Sequence, residues 1–276
     1  NTGDFDRPFK TIQRAVDAAQ PGDTILVRDG VYGAASCSST SSFAVNIDKA
    51  GTESAYIAIR AENPLGATLD AELLCHSYFN LARGSAYISI SGFVITRGFW
   101  AAIWSNNDAH HIRISSNRIE FIGNRAETSR YGIAAIYTGA ESTDFVIDGN
   151  VIHDVGRAGG AFLWHDHGIY IHGRNYTIVN NLLYNIKAGW PITPVGPLPN
   201  VPIANNTFAF ANPIRDAHIA VGEGDVSGLV IRNNIFYQPR GAAIVNCNVT
   251  YSGENVVENN MVNGAVLLGP EICGSS

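Results

Sequence analysis

The sequence is short of charge. Asp, Glu, Lys and Arg make up 15% of its 276 residues, against about 25% in an ordinary globular protein. Lysine is nearly absent, with only Lys10, Lys49 and Lys187 in the chain. The surface must then be wetted by neutral groups, and Asn, Ser, Thr and Gly are abundant. The formal net charge of -6 argues against nucleic acid or an anionic membrane as partner, since both attract basic surfaces. No run of eighteen apolar residues occurs, so no segment reads as a membrane-spanning helix. No charged-then-apolar leader opens the chain, and the first residues, NTGDFDRPFK, lack Met, as expected of a processed secreted protein. Cysteine is scarce, with one pair near each end. We expect two disulfides, Cys37–Cys75 and Cys247–Cys273, formed in an oxidising compartment.

Helical periodicity is also missing from most of the chain. Repetition takes its place. The segments ISGFVI, SSNRIEF, DGNVIHD, VNNLLYN, ANNTFAF, RNNIFYQ and ENNMVNG align on Gly92, Asn117, Asn150, Asn181, Asn206, Asn234 and Asn260. Each is followed by a polar turn and a short apolar strand, among them AAIW, GIAAIY, GIYIH and HIAV. One such coil cannot bury its apolar face alone, so a solenoid is expected. Asn tolerates the left-handed backbone region and can bond its own kind in the next coil. These Asn residues therefore read as a structural ladder. At the start, Phe9, Ile12, Val16 and Ala19 have helical spacing and end at Pro21-Gly22, which suits a short capping helix over residues 9–20. DTILVRDGVY reads as the first full strand.

With these segments in view, PFKTIQRAVDAAQPGDTILVRDGVY resembles the N-terminal cap and first coil of the right-handed parallel β-helix proteins of the pectate-lyase-like superfamily. DHGIYIHGRNYTIVNNLLYNI resembles their central coils. The resemblance implies an all-β, single-domain parallel β-helix over residues 1–276, with coils over 23–268. It also implies a secreted carbohydrate-active enzyme. The superfamily contains lyases of pectate and alginate, uronate epimerases, glycoside hydrolases and non-enzymatic members, so activity stays open among them.

Strand alternation puts Ile169 and Ile171 in the core and Gly168, Tyr170 and His172 outside. The same outward register is expected of Trp104, Ala134, Thr193 and Ala220. The corner before this strand carries Arg97, Arg130, His165 and His167, Lys187, Arg215 and Arg240 in successive coils, a cationic stripe in an acidic protein. An acidic polysaccharide or oligosaccharide would lie along it, with sugar faces on Trp100, Tyr170 and Trp190. Trp104, Arg130, His165 and His218 complete the expected substrate-binding set. Nucleic acid and membrane are not expected partners, and the chain is expected to be a monomer.

Uronate polymers are cut by β-elimination, which needs a base, a carboxylate neutraliser and an acid for the leaving oxygen. The expected assignment is Lys187 or Arg215 on the carboxylate, His172 or His167 as base and Tyr170 as acid. The resemblance to epimerases and lyases of this fold supports a His and a Tyr on a central coil. The acidic-Pro-His run of alginate epimerases is missing here. A hydrolase would use Asp166 and Asp216, at one corner two coils apart, but the Asn-Thr-Asp, Asp-Asp and Arg-Ile-Lys runs of galacturonan hydrolases are missing too. No cofactor is required by these motifs. The resemblance leaves calcium open, with Asp166 and Asp216 as candidate ligands beside Asp154, Glu223 and Asp225. Zinc on His153, His165, His167 and their acidic neighbours lacks any known motif spacing. Five prolines between Pro191 and Pro202 read as an irregular excursion that is either a lid or a rigid loop.

Overall fold

Isoleucine at alternate positions decides the coil. Ile103, Ile136, Ile169, Ile192, Ile219 and Ile244 pair in register across successive parallel strands, and each is buried. β-Branched side chains suit a pleated strand. Stacked at about 4.8 Å per strand, they make a continuous apolar wall. Ile90, Ile114, Ile147, Ile178, Ile203 and Ile231 do the same on the next wall.

The computed structural model describes residues 2–271 other than Glu127, Pro213 and Asp216. Its central turns contain three strands each. His167–His172, Thr177–Val179 and Leu182–Ile186 make one turn. Ile192–Val195, Leu198–Ala204 and Thr207–Ala209 make the next. The first two strands of each turn belong to a 17-stranded sheet and the third to a 9-stranded sheet. Their ladders are parallel. Connections between parallel strands of one sheet take the right hand, so the chain is a right-handed parallel β-helix. No helix among the described residues is long and apolar enough to cross a membrane.

The N-terminal helix is shorter than its apolar spacing suggests. It covers Ile12–Ala18 and is capped by the Thr11 hydroxyl, which accepts from the Arg14 N–H. Ile12, Val16 and Ala19 are buried against the end of the core, while Phe9 lies before the helix and is half-buried. DTILVRDGVY divides into Thr24–Val27 and Gly30–Tyr32, which belong to different sheets. The corner between them needs Gly30, whose φ is 146°. The proline-rich stretch is not an excursion at all. Residues 192–195 and 198–204 are strands of the coil, with Pro194 opposite Ile171 and Pro202 opposite Val230. Proline can hold an extended strand and gives up only its own ladder N–H.

The asparagine ladder is present on the six aligned Asn residues from Asn117 to Asn260, and only the first aligned position, Gly92, shifts by one residue. The Asn150 backbone N–H and Nδ2 both donate to Asn181 Oδ1, at 2.9 and 3.0 Å. Asn181 repeats this on Asn206, Asn206 on Asn234 and Asn234 on Asn260. Each Nδ2 also reaches a strand carbonyl, such as Ile147 O for Asn181. The left-handed residue is the one before the ladder Asn: Ser116, Gly149, Asn180, Asn205, Asn233 and Asn259. Gly92 belongs to that left-handed series, and Phe93 takes the ladder position, its N–H donating to Asn117 Oδ1. Replacing Asn181 by Leu strands the Asn150 donors in a buried site. Chemical denaturation should show a loss of about 2–3 kcal/mol. The same change at half-buried Asn260, the last rung, should cost less. Equal and small losses would mean the ladder is ornamental.

Cys37 and Cys75 form the expected disulfide across the first coils. Cys247 is half-buried on the first wall, and its expected partner Cys273 lies outside the described residues.

Candidate active site

Outward positions of the first wall fall into columns along the helix axis. Tyr170 pairs with Tyr137 on one side and Thr193 on the other; Tyr137 pairs with Trp104, and Trp104 with Asn80. Ala134, expected in this column, pairs with His167 instead. Two consecutive residues, Ala135 and Ile136, face inward at the start of that strand. Simple alternation read from the strand's first residues therefore slips, and the aromatic of this coil is Tyr137.

The rings do not offer their faces to solvent as expected. Trp104 and Tyr137 stack at 3.8 Å with 12° between planes, and Tyr137 and Tyr170 at 5.8 Å with 8°. Each ring covers its neighbour's face, so the column presents edges and hydroxyls. Trp190 stacks on His167 at 5.7 Å and carries the Arg215 guanidinium 4.8 Å from its ring centre. Trp100 is packed against the core and meets Phe99 and Tyr131 edge-on. Sugar stacking on these faces is therefore not the mode of contact the structure offers.

Beyond Tyr170 the wall drops to Thr193, Ala220 and Gly222, which opens a pocket of about 450 Å³. His165, His167, Trp190, Arg215, Glu223 and Cys247 line it with Tyr170. A larger hollow of about 610 Å³ lies at the N-terminal helix, beside Phe9, Ile12 and Val27. It is the rim of the first coil, and its lining, which includes Asp4, Lys10, Arg28 and Glu62, holds no histidine.

Of the residues expected at the site, His167, Tyr170, His165, Trp190 and Arg215 meet at this pocket. His172 follows Tyr170 on the same face, with ring centres 5.0 Å apart. Trp104 lies two coils away along the column. Arg130 is exposed on a neighbouring loop, its carbonyl bonded to His165 Nδ1 at 2.8 Å. Three expectations fail, and the cationic stripe fails with them. Lys187 is outside the pocket; it aligns with Gly156 at the end of the third wall, and its Nζ donates to Asn124. Arg97 pairs with Asp70 at the same end. His218 points into the core, against the stacked pair Phe208 and Phe236, and is fully buried. Corner loops of different lengths break the simple coil register on which the stripe depends.

Asp166 is the third correction. It is buried and accepts from the Ile133 N–H, the Arg157 N–H and Arg157 Nε. Burial pushes its carboxyl up, opposed mainly by Arg157. We take the pair as ionised, because three donors satisfy the carboxylate. The carboxylate is fully enclosed and held by these donors, with no open approach for a cation, and Asp216 lies outside the described residues. Among the described residues, no three His, Cys, Asp or Glu side chains converge as a cation would require. The described members of the set expected for calcium do not converge, and neither do those of the zinc set.

The pocket's titratable groups are set by burial. His167 is pushed down to about 3 by desolvation and the nearby His165 and Arg215 charges. Its Nδ1 accepts from the Trp190 N–H at 3.2 Å, so the ring is neutral and carries its proton on Nε2. Burial pushes Tyr170 up to about 12, keeping its hydroxyl protonated. Burial lowers His172, partly offset by Glu223. Arg215 is lowered by burial but stays charged, as guanidinium does.

Two buried histidines, one in the pocket and one in the core, make stability acid-sensitive. His167 sits at about 3 and His218 at about 4 in the folded chain, against about 6.5 unfolded. Below pH 6 the unfolded state binds protons that the folded state refuses, so stability falls as pH falls. The slope approaches 1.4 kcal/mol per histidine per pH unit, or about 2–3 kcal/mol for both between pH 6 and pH 5. Denaturation midpoints across that range should move accordingly. A flat profile would show that both rings reach water.

No model of a known protein family matches the sequence, and no curated protein resembles it in sequence. Solved structures do resemble it in shape. An alginate lyase from Paenibacillus sp. str. FPU-7 superposes over 94% of this chain and 94% of its own, with TM-score 0.67 and 18% identity. The pectate lyase Pel9A matches over 95% of this chain and 74% of its own, with TM-score 0.56 and 14% identity. A rhamnogalacturonan lyase matches over 100% and 86%, with TM-score 0.55 and 13% identity. The protein thus has the β-helix fold on which these polysaccharide lyases are built. At such identities the likeness concerns fold, and chemistry must be argued from the pocket.

Proposed function

We propose that the protein is a polysaccharide lyase that cuts an acidic, uronate-containing polymer by β-elimination. The observation that carries this reading is the meeting of Tyr170, His167 and Arg215 in one pocket on the first wall, with His172 beside Tyr170. Elimination needs the uronate carboxylate neutralised so that the neighbouring C–H becomes acidic, and Arg215 supplies that charge. His172, kept neutral by burial, is the base. Tyr170, kept protonated, gives its proton to the leaving oxygen. His167 offers Nε2–H to the carboxylate rather than acting as base, since Nδ1 is occupied by Trp190. The edges of Trp104 and Tyr137 extend this wall for neighbouring sugar units.

A glycoside hydrolase needs two carboxylates across the bond. Glu223 lines the pocket, but Asp166 is sealed against Arg157, which favours the lyase. The Cys37–Cys75 disulfide suits a protein that works outside the cytoplasm. Incubation with alginate, pectate and glucuronan, followed by ultraviolet absorbance, tests the reading. Absorbance should rise as the unsaturated product forms, and Arg215→Ala should raise KM at least tenfold. New reducing ends without that absorbance would replace the lyase by a hydrolase. Binding without either product would leave a carbohydrate-binding β-helix.

A further inference from the structure

We infer that the substrate is a uronate whose C5 hydrogen and C4 oxygen lie on the same face of the sugar ring, as in β-mannuronate and glucuronate. Galacturonate and guluronate, with the two on opposite faces, are the excluded class. The inference rests on the lyase reading above and concerns its stereochemistry.

Tyr170 and His172 are two residues apart on one strand, with Ile171 between them buried in the core. Their side chains therefore leave the sheet on the same side, and their ring centres are 5.0 Å apart. His167 is on that wall too, 5.1 Å from Tyr170. Register keeps this order rigid, since Tyr170 is paired to Tyr137 before it and Thr193 after it. A sugar ring is too broad to have its two faces served by groups this close on one flat sheet. Base and acid then meet the ring from the same side, and removal must be syn.

In that step His172 takes the C5 proton, and the C5–H electron pair moves toward the Arg215-neutralised carboxylate. It then forms the C4=C5 double bond as the C4–O bond breaks. Tyr170 gives its proton to the departing oxygen. The proton on His172 returns through solvent to Tyr170, so nothing is oxidised or reduced. Only a sugar with C5–H and C4–O on one face can present both to this wall. Removal across opposite faces would need a base on the loop side of the pocket. His165 is the group placed there, its Nδ1 bonded to the Arg130 carbonyl and Nε2 left as the basic nitrogen.

The test is a rate series on four defined polymers: mannuronan, glucuronan, guluronan and polygalacturonate, each followed by the absorbance of the unsaturated end. Mannuronan or glucuronan should be cut at least tenfold faster than either of the others. His172→Gln should cost that activity at least 100-fold, and more than His165→Gln does. Faster cutting of guluronan or polygalacturonate, with the larger loss at His165, would overturn the syn inference and leave the lyase reading standing. No unsaturated product from any of the four would retire the lyase reading and this inference with it.

Discussion

Tyr170→Phe should leave a folded protein with almost no lyase activity. The ring contributes to structure through its stack on Tyr137 and its contact with His167, and Phe keeps both. Among the described residues no hydrogen bond ties up the hydroxyl, so its removal strands no buried partner. Thermal or chemical denaturation should therefore change by less than about 1 kcal/mol. Turnover is another matter. The leaving oxygen of a glycosidic bond departs poorly without a proton, and a positioned acid is worth roughly 10²–10⁴ in rate, or about 3–5 kcal/mol of barrier. The loss should fall on kcat, with KM held within a few fold, because the hydroxyl acts as the bond breaks. Steady-state kinetics on the polymer that wild type cuts best will separate the two. A variant that retains a tenth or more of wild-type kcat would remove Tyr170 from the chemistry.

How much of this site could be read in the sequence depends on how regular the coil is at each point. Where the coil is regular, residue spacing translates directly into space. Tyr170 and His172 face outward because Ile169 and Ile171 are apolar at strand period, and the ladder Asn residues repeat because every coil turns the same corner. Where loops of unequal length intervene, the translation fails. Lys187 and Arg215 look equivalent by order along the chain, yet one ends the third wall and the other follows a loop back to the pocket. Tyr137 was hidden by two consecutive inward residues. His218 is polar and reads as exposed, but in the fold it packs against the stacked rings of Phe208 and Phe236. Arg157 gave no signal at all: a buried Arg is recognisable only with its carboxylate partner in place. Asp166 in the HDHG run was the one hint, since an acid between two histidines at a strand start is easily taken for a ligand.

Arg157→Met should destabilise the protein by about 3–5 kcal/mol, which is the usual cost of removing one partner from a buried pair. Both side chains of the Arg157–Asp166 pair are fully enclosed, with Nη2 and Oδ1 3.0 Å apart. Without the guanidinium, Asp166 must either stay charged in an apolar setting or take up a proton, and both cost free energy. The guanidinium also donates to the carbonyls of Ser129, Tyr131 and Ala161. Those bonds tie the loop that carries Arg130 to the one that leads into Trp164 and His165. The second loop forms one side of the pocket, so the variant should bind polymer more weakly as well as unfold sooner. Urea denaturation gives the first effect and KM the second. Pairing the change with Asp166→Leu removes the orphaned charge and should recover much of the stability. It should not recover KM, because the loop carbonyls remain unbound. A single variant that loses under 1 kcal/mol would mean that water reaches Asp166. A double variant that restores KM would mean that the orphaned Asp166 charge, and not the loss of the loop bonds, is what disturbs this side of the pocket.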